Sequence, residues 1–289
     1  MRWIVTGAHG MLGQDLVALL RGRGDDVTGA DRDTVDITDE SAVAAAVRGH
    51  DVVVNCAAWT DVDAAESHEG DAFAVNATGP QLLARAAREA GARIVQISTD
   101  YVFDGAAAEP YAEDAPAAPR SAYGRTKLAG EWAVRAEAPD HLIVRTAWLY
   151  GAGGACFPRT IARLAAERGG LDVIADQVGQ PTWTRDLADL VVRLVDAGAP
   201  SGRYHGTASG RTSWHGFAQA VVGAAGMDPD VVRETTSDVY VRPAPRPAFS
   251  VLGHAALRTP GVVPIGDWRE RWAVAFDEVL AGRVAAPGA

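Results

Sequence analysis

The N-terminal stretch RWIVTGAHGMLG, residues 2–13, joins a short apolar run to a glycine-rich turn and then to an amphipathic segment. Gly7, Gly10 and Gly13 have the spacing GxxGxxG, which differs from the GxGxxG of many dinucleotide-binding turns. Glycines permit a tight turn and close backbone approach, and the free N–H groups of a helix N-terminus attract a pyrophosphate. The stretch therefore predicts a strand, a cofactor-binding loop and a helix, although an ordinary strand-to-helix turn would use the same residues.

Short apolar runs alternate with amphipathic segments along the first half of the chain. The first run is followed by DVTGA, DVVVNCA, RIVQIS and HLIVRT at residues 26–30, 51–57, 93–98 and 141–146. These runs are apolar on both faces, as are strands that lie between two layers of helices. The segments between them repeat apolar positions at three and four residues, as amphipathic helices do. The alternation predicts an α/β, Rossmann-like fold with a doubly wound parallel sheet.

The pattern changes after about residue 150. Helical segments there are separated by Gly- and Pro-rich stretches such as VRPAPRPAFS at residues 241–250, and no internal repeat is present. We therefore expect a dinucleotide-binding domain in residues 1–150 and a smaller α/β, mainly substrate-binding domain in residues 151–289. The boundary between them is soft, since we expect the chain to cross back to the first domain.

Bulk properties exclude several classes of protein. The 289 residues are 48% hydrophobic, so the chain can bury a large core. A net charge of −10, with acids and bases interspersed, argues against binding to nucleic acid or to an anionic membrane. Cys56 and Cys156 lie far apart and predict neither a disulfide framework nor a zinc site. Because the sequence contains neither a long apolar window nor a targeting segment, we expect a cytoplasmic protein.

An acidic residue closes the predicted second strand. Asp31 lies 24 residues after Gly7, where its carboxylate would accept hydrogen bonds from an adenosine ribose. Arg32 beside it could instead contact a 2′-phosphate, so these residues leave the choice between NAD and NADP open. Asp36 and Ile37 follow, and either flank the adenine or belong to the start of the next helix.

The third and fourth strands end in residues that suit a ligand. Ala57 and Ala58 are small enough to let a cofactor lie across the carboxyl edge of the sheet, although small residues also pack helices against sheets. The fourth strand runs into STDYVFDG, residues 98–105. Thr99 and Asp100 therefore place a hydroxyl and a carboxylate at the same edge of the sheet.

Tyr123 and Lys127 lie in SAYGRTKLAGE, residues 121–131, and fall on one face of a predicted helix. A cation near a phenol lowers the pKa of the phenol, which makes it a proton donor usable near neutrality. The hydroxyl of Thr99 can face the same crevice, where it and the phenol could hold one carbonyl oxygen. A surface Tyr-Lys pair on an amphipathic helix would have the same spacing.

In this order and spacing, the glycine loop, VVVNCAAWTDVDAAE, ISTDYVFDG, AYGRTKLAGE and RTAWLYG resemble the extended short-chain dehydrogenases/reductases. More narrowly, they resemble the dTDP-4-dehydrorhamnose reductase family. The similarity continues through DQVGQPTWTRDLAD, YHGTASG and PAPRPAFSVL, and so covers nearly the whole chain. The Tyr-Lys pair is specific only to the superfamily, whereas STDYVFDG together with YGRTKLAGE and RTAWLYG is far more specific to the family.

The resemblance implies that hydride passes from NADPH, or from NADH, to the 4-keto carbon of a dTDP-linked 6-deoxysugar such as dTDP-4-dehydro-L-rhamnose. It implies that Tyr123 donates the proton, that Lys127 lowers the pKa of Tyr123 and holds the nicotinamide ribose, and that Thr99 hydrogen-bonds the carbonyl. Asp100 and Trp148 would contact the sugar, although a tryptophan that ends a strand could equally be a core residue. With the residues predicted above, the cofactor set comprises Gly7, Gly10, Met11, Leu12, Gly13, Asp31, Arg32, Asp36, Ile37, Ala57, Ala58, Trp59, Thr60, Tyr123 and Lys127.

Other functions remain open. A 4-ketoreductase for another dTDP-deoxysugar, such as an antibiotic sugar, would use the same residues. An epimerase on this scaffold would keep its cofactor bound and would consume no reduced nucleotide. A non-catalytic, cofactor-binding regulatory subunit is a different class of protein, and the complete set of Thr99, Tyr123 and Lys127 argues against it. Tyr101 is predicted to be a packed neighbour, because the lysine partner belongs to Tyr123.

Some family members are described as metal-linked dimers that use acidic residues in the first helix and in the segment that matches PTWTRDLAD. Asp15 is such an acid in the first helix, but Arg185 occupies the matching position in the second segment. A cation there would repel a metal ion. We therefore predict no metal site, and either a monomer or a homodimer that no metal links.

Overall fold

The computed structural model describes residues 1–281 and consists of alternating strands and helices. The strands are β1 (Arg2–Thr6), β2 (Asp26–Ala30), β3 (Val52–Asn55), β4 (Arg93–Thr99), β5 (His141–Thr146), β6 (Leu149–Tyr150), β7 (Leu171–Ile174), β8 (Val178–Gly179), β9 (Thr182–Trp183), β10 (Gly202–His205), β11 (Thr212–Ser213) and β12 (Val232–Thr235). The α-helices are α1 (Met11–Gly22), α2 (Glu40–Val47), α3 (Glu69–Phe73), α4 (Gly79–Ala90), α5 (Ala122–Glu137), α6 (Phe157–Arg168), α7 (Thr184–Asp196), α8 (Trp214–Ala224) and α9 (Trp268–Leu280).

Six strands form one parallel sheet in the order β10-β5-β4-β3-β1-β2. The chain leaves β1 in one direction to form β2 and then returns to the other side of β1 to form β3. Ligands of open α/β sheets bind outside the carboxyl ends of the strands at such a reversal. The predicted α/β class and doubly wound parallel sheet are confirmed.

Successive residues of each strand enter two different cores. Trp3 and Val5 of β1 pack on one face with apolar residues of α1 and α7. Ile4, between them, packs on the other face with residues of α2, α4 and α5. Both faces of the sheet are therefore buried, which is why the strand sequences are continuously apolar.

Three two-stranded ladders lie outside the main sheet. They pair β6 with β9, β7 with β12 and β8 with β11. The β8–β11 pair is antiparallel and the other two are parallel. Within the described residues, no helix combines the length and apolar character that crossing a bilayer requires.

The helical region before α4 differs from a regular helix. Residues Ala74–Thr78 form a π-helical turn between α3 and α4. The carbonyl of Asn76 in this turn lies so close to Gly130 of α5 that any side chain at Gly130 would collide with it. The Asn76 amide also hydrogen-bonds Thr126 of α5 at 3.1 Å and the backbone N–H of Trp59 at 2.9 Å. The turn thus fixes α5 against the loop that follows β3.

Candidate active site

A cavity of about 1020 Å³ opens at the carboxyl ends of β1, β3, β4 and β5. The predicted site residues that line it are Gly7, Gly10, Met11, Leu12, Gly13, Ala58, Thr60, Thr99, Asp100, Tyr123, Lys127 and Trp148. The predicted residues that do not line it are Asp31, Arg32, Asp36, Ile37, Ala57 and Trp59. One cavity therefore brings together the glycine loop and the predicted catalytic groups.

The glycine loop makes the close backbone approaches for which glycine is needed. Gly7 has φ 69°, and a Cβ there would lie 2.6 Å from the backbone nitrogen of Ala57. A Cβ on Gly13 would collide with the carbonyl oxygen of Gly7. Helix α1 begins after Gly10 without a side-chain cap and without an acidic residue in its first turn. No acidic side chain in the first turn of α1 therefore occupies its free N–H groups, and residues of this turn line the cavity, which fits the pyrophosphate of a dinucleotide.

Asp31 supports the glycine loop from behind. One carboxylate oxygen accepts a hydrogen bond from the backbone N–H of His9 at 2.8 Å, and the other accepts one from the N–H of Arg32 at 2.8 Å. Asp31 is half-buried, whereas Arg32 is exposed. These contacts give Asp31 a structural role in the loop, and its ribose contact stays a prediction.

Three other residues that are predicted to bind the cofactor, Asp36, Ile37 and Trp59, make contacts with other parts of the protein. Asp36 accepts hydrogen bonds from the N–H and hydroxyl of Thr38, and Asp39 is the residue that caps α2. Ile37 is buried and packs closely against Gly79 of α4. The indole N–H of Trp59 donates to the carbonyl of Asp61 at 2.9 Å.

Three predicted catalytic side chains come from two neighbouring elements. Thr99 is the last residue of β4, and Tyr123 and Lys127 lie on α5, whose N-cap Ser121 accepts a hydrogen bond from the N–H of Gly124 at 3.1 Å. The Thr99 hydroxyl donates to Asp100 at 2.9 Å. The Lys127 ammonium is buried and donates to the carbonyl oxygen of Ile97 in β4 at 2.7 Å.

The protonation of these groups is set mainly by burial. Burial raises the pKa of Tyr123, while the nearby Thr99 hydroxyl opposes this rise and the Asp100 carboxylate adds to it. Burial lowers the pKa of Lys127 to about 8, against an opposing effect of Glu131. The expected lowering of the Tyr123 pKa by Lys127 is therefore not what this structure shows, because the ammonium is directed to Ile97. The role of Lys127 as modulator of Tyr123 stays a prediction.

Asp100 and Trp148 complete the predicted substrate side. Burial raises the pKa of Asp100 to about 6, and the hydroxyls of Ser250 and Thr99 partly offset this rise. Trp148 has φ 49°, which makes it the single non-glycine residue with a left-handed backbone in residues 1–281. Its indole stacks on Trp214 with ring centroids 3.5 Å apart.

Residues from the second half of the chain also line the cavity and were missed from the sequence. They include Trp214 and a segment at residues 237–247. In that segment Arg246 forms an ion pair with Asp63 at 2.8 Å, and Arg242 lies 3.7 Å from the same carboxylate. The RP of PAPRPAFSVL marked this segment as part of the family pattern, but no spacing rule connected it with Asp63. No motif or spacing in the sequence indicated that Trp214 lines the cavity.

The guanidinium of Arg185 lies close to the carboxylate of Asp15 in α1. Its guanidinium is 3.8 Å from Asp15 and 2.8 Å from Glu278. Burial raises the pKa of Asp15. In residues 1–281, no three His, Cys, Asp or Glu side chains form a group that could hold a metal ion.

The doubly wound sheet, the glycine loop at α1 and the Thr, Tyr and Lys side chains at the carboxyl edge define a Rossmann-like protein of the short-chain dehydrogenase/reductase type. The family model described as "RmlD substrate binding domain" matches residues 1–281. The dTDP-4-dehydrorhamnose reductase of Streptomyces griseus is 50% identical, and the match covers 99% of this chain and 96% of that protein. The chain belongs to the dTDP-4-dehydrorhamnose reductase family, as its motifs predicted.

Two further comparisons bear on the site. A protein of Streptomyces antibioticus, named a probable dTDP-4,6-dihydroxy-2-methyloxan-3-one 4-ketoreductase, is 49% identical over 97% of this chain and 96% of its own length. The crystal structure of dTDP-4-dehydrorhamnose reductase from Bacillus anthracis in complex with NADP superposes with a TM-score of 0.92. It is 37% identical, and the match covers 96% of this chain and 99% of that one.

Proposed function

We propose that this protein reduces the 4-keto group of dTDP-4-dehydro-L-rhamnose to give dTDP-L-rhamnose, with NADPH as the reductant and NADH as a possible substitute. The observation that carries the proposal is the single cavity that joins an uncapped helix N-terminus to Thr99, Tyr123 and Lys127. Family membership supplies the substrate class, because the Streptomyces griseus relative bears this reductase name.

The glycine loop and the start of α1 would hold the pyrophosphate of the cofactor. A nicotinamide cofactor bound there supplies the hydride. NADPH is the first choice, since the structural neighbour from Bacillus anthracis was crystallised with NADP and this chain carries exposed Arg32 beside Asp31. A guanidinium at that position suits a 2′-phosphate.

The proton would come from Tyr123. Its raised pKa keeps the phenol protonated before transfer, and the phenol lines the cavity together with Thr99. The two hydroxyls can donate hydrogen bonds to one carbonyl oxygen and stabilise the charge that develops on it during reduction. Lys127, which is held by the Ile97 carbonyl, would favour the phenolate that remains after the proton is lost.

The sugar nucleotide would occupy the side of the cavity built mainly by the second half of the chain. Trp148 and Asp100 would contact the sugar, and Arg242 and Arg246 place two cations where a diphosphate can be neutralised. The proposal thus assigns cofactor binding to residues 1–150 and mainly substrate binding to residues 151–289.

A second candidate substrate follows from the relative in Streptomyces antibioticus. Its name describes a 4-keto sugar that lacks the C2 hydroxyl of a rhamnose precursor, yet that protein is as similar to this chain as the rhamnose reductase is. A site that hydrogen-bonds a hydroxyl rejects an analogue that lacks it, whereas an apolar site discriminates weakly. Relative rates on the two ketones therefore decide between the candidates.

The test measures loss of NADPH absorbance in the presence of purified protein and either dTDP-4-dehydro-L-rhamnose or the 2-deoxy ketone. We expect oxidation that depends on the sugar nucleotide, and a fall of about 10²–10⁴-fold in kcat for Tyr123→Phe. The matched control is Tyr101→Phe. Tyr101 packs edge-on against Tyr123 with centroids 5.5 Å apart, and loss of its hydroxyl should change kcat far less.

Equal losses in the two variants would remove Tyr123 from the mechanism. NADPH binding without oxidation of either ketone would favour the regulatory-subunit function, and turnover of the sugar without net NADPH loss would favour an epimerase.

We also propose a monomer or a homodimer that no metal links. Size-exclusion chromatography with and without a chelator tests it, and a dimer that dissociates in the chelator would contradict it.

A further inference from the structure

Trp148 has a backbone conformation that its own side chain does not favour. With φ 49° it lies in the left-handed region, where a bulky L-residue is strained. It follows β5 and precedes β6, and it lines the cavity directly. Such strain persists only where the surroundings hold the residue in place, and it is concentrated at functional sites.

The backbone of Trp148 is fixed by the strand pairing next to it. Its carbonyl oxygen accepts a hydrogen bond from the N–H of Thr182 at 3.2 Å, and Leu149 pairs with Thr182 in the β6–β9 ladder. These contacts set the main chain on one side of the residue. They leave the direction of the indole to be determined by its neighbours.

One face of the Trp148 indole lies on Trp214. The two rings are 3.5 Å apart at their centroids and inclined by 7°, which is a nearly eclipsed stack. Isolated aromatic pairs prefer offset or edge-to-face arrangements, so this geometry is imposed by the surroundings. Trp214 also packs against Phe157, with ring centroids 4.5 Å apart and ring planes inclined by 50°.

Gly179 gives the Trp148 indole the room that it needs. A Cβ at Gly179 would lie 2.5 Å from Cε2 and 2.7 Å from Nε1 of Trp148. Gly179 does not have a positive φ, so its backbone would accept alanine, and the requirement for glycine is the indole itself.

The β8–β11 ladder positions both residues that contact the Trp148 indole, Gly179 and Trp214. Gly179 of β8 pairs with Thr212 of β11, and Val178 pairs with Ser213. Ser213 is also the N-cap of α8 and accepts a hydrogen bond from the N–H of Gly216 at 3.0 Å. Trp214 is the first residue of that helix, so the ladder and the cap together determine where its ring lies.

We propose that Trp214 and Gly179 are positioning residues that hold the strained Trp148 indole as the wall of the sugar pocket. This inference rests on the proposed function, because it takes Trp148 to contact the sugar. It assigns Trp214 and Gly179 an effect on binding of the sugar nucleotide through Trp148, with no effect on binding of NADPH at the glycine loop.

The first experiment detects the stack without any reaction. Protein labelled with 5-fluorotryptophan has eight fluorine resonances, one for each tryptophan. Trp214→Leu should remove one resonance and shift that of Trp148, because the ring current of the stacked partner is lost. The matched control is Trp132→Leu on α5, whose side chain is 60% exposed, and it should remove only its own resonance. An unmoved Trp148 resonance in Trp214→Leu would overturn the inference.

The second experiment asks whether the stack matters for the sugar. Calorimetric titration with dTDP-L-rhamnose should show affinity about 5- to 20-fold lower for Trp214→Leu, with the Kd for NADPH unchanged. Product binding is used because it can be measured even if the assay finds no turnover, so that failure of the proposed function is seen separately. Unchanged sugar-nucleotide affinity, or equal losses for both ligands, would refute the assignment.

Gly179→Ala tests the same inference with both indoles retained. It should move the Trp148 and Trp214 resonances and lower the affinity for dTDP-L-rhamnose. Its control is Gly22→Ala at the end of α1, where an added Cβ meets nothing within 4 Å. If Gly179→Ala folds and binds like the control, then the indole is not held by this contact and the inference fails.

Discussion

The buried ammonium of Lys127 lowers the unfolding free energy of the protein, and the proposed role of Lys127 explains this cost. Its ammonium is buried, and burial lowers the pKa from 10.5 to about 8. Between these values the unfolded chain binds more protons than the folded one, so the stability of the protein rises as pH increases through this range. At pH 7 the full penalty, about 3 kcal/mol, is present.

Lys127→Met should therefore be more stable than the parent protein at pH 7, by about 2 kcal/mol once the lost hydrogen bond to Ile97 is subtracted. The advantage should shrink toward zero or reverse at pH 10, while turnover is lost at both values. Urea denaturation of both proteins at the two pH values measures it. A difference in unfolding free energy that does not change with pH would show that Lys127 is not charged at a cost in the folded state.

Gly13 is expected to be irreplaceable for a steric reason rather than for its flexibility. A Cβ there would collide with the carbonyl oxygen of Gly7 and lie 2.7 Å from the Cα of Ala8. Gly13→Ala should cost about 1–3 kcal/mol of unfolding free energy and weaken NADPH binding. Gly22→Ala, later in the same helix, should be neutral or slightly stabilising. Thermal unfolding and NADPH titration compare them, and similar behaviour of the two variants would contradict the argument.

At the scale of single residues, the sequence predicted which side chains belong to the site better than it predicted which groups those side chains contact. Thr99, Tyr123 and Lys127 were placed in one crevice because strand ends and helix periodicity determine direction. The contacts of Asp31 with the N–H groups of His9 and Arg32 could not be predicted, since a carboxylate at the end of β2 has several donors within reach. Nor could Ile37 be recognised as a core residue, because its burial depends on Gly79 of α4.

A buried charge pair joins β4 and α5, the two elements that carry the proposed catalytic groups, to the neighbouring strand β5. Glu131 of α5 accepts two hydrogen bonds from Arg145 of β5, at 2.8 and 2.6 Å, and one from Ser98 of β4 at 2.6 Å. The exposed fractions of the Arg145 and Glu131 side chains are 0% and 2%. This pair therefore fixes α5 against the ends of both strands.

Arg145→Met should cost about 3–5 kcal/mol of unfolding free energy, because it leaves the Glu131 carboxylate buried without its cation. Adding Glu131→Leu should restore part of that loss, since the remaining uncompensated charge is then removed. A double-mutant cycle by urea denaturation measures the coupling, which we expect to be at least about 2 kcal/mol. Additive effects of the two substitutions would show that the pair does not act as a unit.

Helices and strands were predictable where a regular period determines them, and less so where tertiary contacts change the period. The amphipathic pattern through residues 69–92 predicts one helix, whereas the structure interrupts it with the π-helical turn Ala74–Thr78. That turn brings Asn76 against Gly130 and Thr126 of α5. Such a contact between helices distant in sequence leaves no local signal, and π-turns are common at functional sites.

At the scale of the whole molecule, the cavity is assembled from segments far apart in the chain. The glycine loop and Thr99 come from one end of the sequence, and Trp214 and residues 237–247 come from the other. The sequence indicated the first group because it lies at strand ends of a recognisable fold. The second group lies in irregular structure whose position depends on packing against the first, so its members could be found only from the folded chain.

The 237–247 segment is held at both ends. Asp176 accepts hydrogen bonds from the N–H and hydroxyl of Ser237, at 3.0 and 2.8 Å. At the other end Asp63 accepts from the N–H of Ala244 at 3.2 Å and pairs with Arg246. Between these anchors Tyr240 is 44% exposed. A protease can therefore cleave after Tyr240 only when one of these anchors has opened and the segment is locally released.

Asp63→Ala should make chymotrypsin cleave after Tyr240 about three- to tenfold faster, because loss of this partly buried pair lowers the free energy of local opening. The control is Asp71→Ala, which removes an exposed carboxylate of α3 and changes the net charge equally. Mass spectrometry of timed digests gives the rates. If Asp63 also positions Arg246 for a diphosphate, dTDP-L-rhamnose should slow cleavage of the parent protein more than cleavage of Asp63→Ala. The reason is that Asp63→Ala no longer holds Arg246 where the diphosphate would bind. Equal cleavage rates in the two variants would show that Asp63 does not hold this wall of the cavity.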